Sequence, residues 1–158
     1  GDVYKRQLID DVARKHLKEE ILPLATIITP NVPEAEEIVD FKIVTEDDVN
    51  RAGKFIIDEV GCKSVVIKGG HLTGEAKDYL FLNDGTKKVW TSERFKTNHT
   101  HGTGCTFSAV ITAELAKGKS IVQAVDIGKK FITAAIKHTP EIGHGNGPVN
   151  HIAFKGDL

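Results

Sequence analysis

The segment His101-Gly102-Thr103-Gly104-Cys105-Thr106 brings two glycines, two hydroxyls and a thiol together where an apolar helical pattern begins, over residues 107–115. Amides in the first turn of a helix lack intrahelical partners, and the macrodipole adds partial positive charge there. An anion, above all a phosphate, suits such a place. Gly102 and Gly104 let the backbone approach that anion, and a thiol at Cys105 would stand beside the same amides, a setting that favours thiolate. Two readings fit these residues. Either the loop is an anion site with a reactive cysteine, or Gly-Thr-Gly is a tight turn into a core helix and Cys105 a small buried apolar residue.

Three further residues widen the chemistry. Asn31 and Glu34 follow the short β-branched run at residues 25–28, and Lys68 follows the run at residues 64–67. In open parallel sheets, ligands bind beyond the carboxyl ends of the strands, so these residues and the glycine loop are expected to converge on one crevice. A phosphate donor with magnesium needs cations against its charge, amides for the transferring group, and carboxylate or amide oxygens to hold the metal's waters. Lys68, the amides at Gly102, Thr103 and Gly104, and the pair Asn31 and Glu34 supply those needs. An alcohol acceptor also needs a group to take its proton, and Cys105 is placed for it. Plainer roles fit the same residues. Asn31 can form an Asx turn, Glu34 can be a helix-start carboxylate, and Lys68 can simply reach solvent. His99, His101, His144 and His151 show no zinc spacing and read as loop histidines, with His101 a wall of the site.

The elements that must position these groups follow from periodicity. Residues 8–22 carry apolar positions at helical spacing and stop at Pro23, which predicts an amphipathic surface helix. Residues 25–28 predict a buried strand, and Pro33 opens a short helix ending near Asp40. Thr45 with Asp48 predicts a capping box and a helix to Val60, closed by Gly61. Residues 64–67 predict a second buried strand, parallel to the first through a right-handed crossover. Residues 78–82 and 88–91 around Asn83-Asp84-Gly85 predict a hairpin. The last helix pair runs from the glycine loop to Lys117, stopped by Gly118, and from a Ser120/Gln123 capping box to Lys137. The expected fold class is α/β, a mostly parallel sheet with an antiparallel margin.

Composition limits the partners. The chain has 158 residues, 40% hydrophobic and 27% charged, enough for one folded domain and too few for two of ordinary size. A formal net charge of −1 favours neither nucleic acid nor an anionic membrane, so any anion site is local. Two cysteines far apart, Cys62 and Cys105, suit a reducing cytoplasm, and no apolar run approaches the roughly 20 residues that span a bilayer.

Four motifs together carry a resemblance. Thr29-Pro30-Asn31-Val32-Pro33-Glu34-Ala35-Glu36, Val66-Ile67-Lys68-Gly69-Gly70-His71, Thr100 through Thr106, and Gly143-His144-Gly145-Asn146-Gly147-Pro148-Val149 resemble, in that order, the hydroxymethylpyrimidine and phosphomethylpyrimidine kinases of thiamine biosynthesis, within the ribokinase-like superfamily. The resemblance implies a three-layer αβα, Rossmann-like fold and ATP-dependent phosphorylation of 4-amino-5-hydroxymethyl-2-methylpyrimidine and of its monophosphate. It implies Cys105 as the base in the place of the aspartate of the superfamily's sugar kinases, Gly102, Thr103 and Gly104 in the anion hole, and Lys68 near the ATP phosphates. Asn31 and Glu34 match an element associated with magnesium, held through water. Pyridoxal kinase, from the same superfamily, and a nucleotide-binding module without turnover are the competing readings. The glycine-rich strand and loop with which family members begin have no counterpart here. The chain is therefore expected to be the C-terminal part of one kinase domain over residues 8–158, with residues 1–7 foreign to it. Apolar sheet edges left by a missing front predict low stability or self-association.

Overall fold

A computed structural model describes residues 11–69, 76–92, 101–140 and 147–154. The expectations for residues 1–10, Gly70, His71, His99, Thr100 and residues 143–146 lie outside the described residues. The chain forms two compact units, Gly1–Val89 and Trp90–Leu158. No described helix is long and apolar enough to cross a membrane.

The first unit begins with α1 (Asp11–His16), which passes into a π-helical turn at Leu17–Ile21 and a 3-10 turn at Leu22–Leu24. The single amphipathic helix expected over residues 8–22 is thus corrected. Among the described residues its apolar face is not buried: Val12 is 67% exposed and Ile21 55%, while Leu22 alone of that face joins the core. Pro23 ends the pattern through the 3-10 turn rather than at a clean stop.

Helix α2 (Val32–Val39) and helix α3 (Glu46–Asp58) are each held at the start by a capping box, Asn31 with Glu34 and Thr45 with Asp48. Val49, Ala52 and Ile56 follow the 3.6-residue period of α3 and are fully buried. They pack with Ala35, Val39, Val65 and Ile67 into one core. Between the two helices, Glu36 accepts hydrogen bonds from the Ile43 amide and from Lys42 Nζ, both at 2.8 Å. These two donors, the amide first, hold the Glu36 carboxyl below the usual carboxylate range. Asp48 is lowered as well, chiefly by the Thr45 amide and hydroxyl. A carboxylate whose pKa is depressed by folding stabilises the fold above its unfolded value and loses that contribution as pH falls through the folded one. The urea midpoint is therefore expected to fall below the ordinary carboxylate range, and Glu36→Gln to flatten part of that fall. Parallel profiles for the two proteins would remove Glu36 from this account.

The sheet contains β1 (Ser64–Lys68), β2 (Ala76–Leu82) and β3 (Lys87–Ser92), in that order. Residues 64–67 are buried throughout, as expected of a strand covered on both faces. Strands β1 and β2 are antiparallel, with Ser64 opposite Leu82 and Lys68 opposite Asp78. The β2–β3 turn has Gly85 at φ +86°, a conformation that favours glycine, and Asp84 Oδ1 accepts from the Thr86 amide at 2.8 Å.

Among the described residues, parallel pairing is confined to three isolated bridges, Ile28 with Val65, Asn31 with Lys68 and His101 with Pro148. The expectation of a mostly parallel sheet with an antiparallel margin is corrected to that extent among the described residues. The segment at residues 25–28 is also not the buried strand expected: Thr26 is exposed and Ile28 half-buried. It lies against β1 through Ile28 N to Ser64 O and Val66 N to Ile28 O, and Ser64 Oγ donates to Thr26 O at 2.7 Å. Isolated bridges rather than a continuous ladder join this segment to β1, so it falls short of a strand.

The second unit pairs α4 (Thr103–Ala116) with α5 (Ile121–Lys137). Phe107 and Ile111 are buried on α4, and Ala124, Val125, Ile132 and Ala135 on α5. Gly128 lets the helices close: a Cβ there would lie 3.0 Å from Phe107 Cε2 and 3.2 Å from Ile111 Cγ1. Helix α4 ends where Gly118, at φ +83°, donates to Leu115 O, and Lys119 N donates to Glu114 O. Ser120 and Gln123 form the expected capping box of α5.

Candidate active site

In the first unit, three of the predicted residues stand together. Lys68 N donates to Pro30 O at 2.9 Å, and the bridge from Asn31 to Lys68 sets the end of β1 beside the start of α2. Asn31 Oδ1 accepts from the Glu34 amide at 2.8 Å, and Glu34 Oε2 accepts from the Asn31 amide at 2.7 Å. In their plainer roles the sequence reading takes Asn31 and Glu34 separately, as an Asx turn and a helix-start carboxylate. They are in fact reciprocal partners. The signal lies in the spacing Asn-x-x-Glu, an asparagine version of the box recognised at Thr45.

The Glu34 side chain is solvent-facing and Lys68 is half-buried. Among the described residues, no group of three His, Cys, Asp or Glu side chains could hold a metal ion. Asn31 and Glu34 still fit magnesium held through water. Magnesium keeps several waters and commonly takes one or two carboxylates beside substrate phosphates, and outer-sphere contact leaves both capping bonds in place.

In the second unit, Gly102 is the N-cap of α4, with φ +86° and ψ −1°. Among the described residues nothing lies within 4 Å of a Cβ built there. The left-handed backbone itself thus favours glycine there. Thr103, Gly104 and Cys105 are the first three residues of the helix. Its N-cap residue, a glycine, has no side chain with which to cap the start, whereas α2, α3 and α5 each carry a capping box. The first intrahelical bond is Thr106 N to Gly102 O at 2.9 Å. Cys105 is exposed, which rules out the reading of a buried apolar residue, while Cys62 is buried and donates its thiol to Leu22 O at 3.4 Å. Burial raises the Cys62 thiol pKa, keeping it protonated.

His101 is exposed beside this loop. A second histidine escapes sequence reading: His151 Nε2 lies 3.0 Å from Thr106 Oγ1, across 45 residues of chain. Nothing in the local sequence around His151 signals that pairing.

Residues 4–150 match the family model described as phosphomethylpyrimidine kinase. The chain belongs to the phosphomethylpyrimidine kinase family. It is 56% identical over 149 residues to a hydroxymethylpyrimidine/phosphomethylpyrimidine kinase of Staphylococcus aureus, an alignment covering 93% of this chain and 54% of that protein. The chain spans about half the length of the curated relatives it matches. Among solved structures, the pyridoxal kinase of Bacillus subtilis in an ADP complex is similar with a TM-score of 0.84 and 42% identity, covering 92% of this chain and 57% of that one. The phosphomethylpyrimidine kinase of Clostridium difficile gives 0.69 and 45%, covering 82% and 51%. The fold is therefore the α/β, ribokinase-like fold of the phosphomethylpyrimidine and pyridoxal kinases.

Proposed function

We propose that this family member serves the ATP-dependent phosphorylation of 4-amino-5-hydroxymethyl-2-methylpyrimidine and of its monophosphate, which yields the pyrophosphate used for thiamine. One observation carries the reading: a glycine-led helix start with no side-chain cap, presenting an exposed cysteine in its first turn. The amides of a helix's first turn, aimed along its positive dipole end, stabilise the charge that gathers on a transferring phosphoryl group. Gly102, Thr103 and Gly104 form the anion hole, and Cys105 accepts the proton of the attacking hydroxyl. Lys68 offsets the negative charge of the ATP phosphates. Asn31 and Glu34 would hold magnesium through its waters, where the ion would neutralise phosphate charge.

The same reading assigns residues 8–158 to the C-terminal part of one three-layer αβα kinase domain, in which the bridges at Val65 and Lys68 belong to a larger parallel sheet. Its partners are ATP and a small pyrimidine.

Pyridoxal kinase is the second reading, favoured by solved neighbours of that name with TM-scores of 0.83 to 0.86. Both readings share ATP and differ in the acceptor. A full-length family member carrying this segment should phosphorylate the hydroxymethylpyrimidine with a kcat/KM at least tenfold above that for pyridoxal. The opposite order would transfer the assignment to pyridoxal. Nucleotide binding without transfer to either acceptor would leave a binding module.

A further inference from the structure

Residues 147–151 touch the chain on both sides of the glycine loop. Before it, His101 N donates to Gly147 O at 3.2 Å, Val149 N donates to His101 O at 3.3 Å, and His101 bridges Pro148 in parallel. After it, His151 Nε2 and Thr106 Oγ1 form a hydrogen bond of 3.0 Å. Between these two grips lie only Gly102, Thr103, Gly104 and Cys105. The tail is itself anchored: Val149 is 2% exposed, and Asn150 donates from its amide to Ala135 O at 3.0 Å and from Nδ2 to His138 O at 2.8 Å. The last turn of α5 therefore holds Asn150, Asn150 places His151, and His151 reaches the first turn of α4.

Glycine loses more backbone conformational entropy on ordering than any other residue, so a loop with two glycines is costly to order. An anion hole works only when its amides are already aimed. Helices α2, α3 and α5 fix their starts with the side chains of their N-cap residues, and the N-cap of α4, Gly102, has no side chain to use. The geometry points to residues 147–151 as a clasp that orders the loop from outside, with His151 a positioning residue acting through the Thr106 hydroxyl. Its bearing on catalysis rests on the function proposed above, but the clasp itself does not.

Amide hydrogen exchange on the 158-residue chain tests it without any kinase assay. His151→Ala and Thr106→Val should each speed exchange at the Thr106 and Phe107 amides about tenfold, the scale of one lost hydrogen bond. The double variant should be no faster than either single one, because both remove the same bond. Thr106→Ser keeps the hydroxyl and should exchange at the original rate. If His151→Ala fails to fold, the contrast between Thr106→Val and Thr106→Ser decides alone. Unchanged rates at these amides, additive effects in the double variant, or acceleration spread evenly along α4 and α5 would each overturn the clasp. Failure of the kinase assignment would show instead as absent transfer with the exchange pattern intact.

Discussion

Replacing Cys105 by alanine in a full-length family member is expected to lower the phosphorylation rate by about 10²- to 10⁴-fold, the usual contribution of a positioned proton acceptor. The substitution removes a side chain and leaves every amide of the α4 start in place. Cys105 is exposed in the first turn of α4, so no core cavity forms and no capping bond is lost. Nucleotide affinity should accordingly change less than threefold, while kcat collapses. Calorimetric titration of a non-hydrolysable ATP analogue, set beside steady-state kinetics, separates the two effects. A variant retaining more than a tenth of the original kcat would show that another group takes the proton. A parallel loss of nucleotide binding would mean that the thiol itself helps to hold the phosphates.

Gly53→Ala should destabilise the chain, although a glycine to alanine change inside a helix ordinarily stabilises it. Gly53 lies on α3 against Phe81 of β2, and a Cβ there would fall on the ring, 2.7 Å from Cγ. The overlap involves the body of the ring as well as its edge, so rotation about χ2 does not clear it. Helix α3 cannot back away, because Val49, Ala52 and Ile56 are wholly buried in the same core. Overpacking of this kind costs about 1–3 kcal/mol, against a helix-propensity gain of about 1 kcal/mol, and at so short a distance the first effect wins. Gly128→Ala is a built-in comparison. Its nearest atoms are 3.0 to 3.2 Å from the added Cβ, so a small shift of Phe107 nearly balances the two terms. Urea denaturation followed by circular dichroism should place Gly53→Ala well below the parent and Gly128→Ala close to it. Phe81→Leu in the Gly53→Ala background should recover part of the loss. A Gly53→Ala midpoint equal to or above the parent would show that the ring moves aside freely.

The helix starts at Thr45 and Ser120, the turn at Gly85 and the stop at Gly118 are all legible in the amino-acid order. Each is settled among residues no more than five apart, by one side chain and a few amides. The four-motif resemblance is legible for the same reason that it is specific, since each motif is a short local run. Cys105 shows the limit. Its position at a helix start follows from the glycines before it, but two readings, buried or reactive, survive until its exposure is known.

The sequence alone therefore determined the family, the order of the elements from α2 onward and the residues offered for phosphoryl transfer. Only the tertiary structure decided that Cys105 is exposed, that residues 25–28 meet β1 through isolated bridges, and that the face of α1 and its continuation stays open. It alone set His151 on Thr106. Burial and pairing depend on which distant segments arrive at a place, and no residue spacing encodes a contact made across 45 residues of chain.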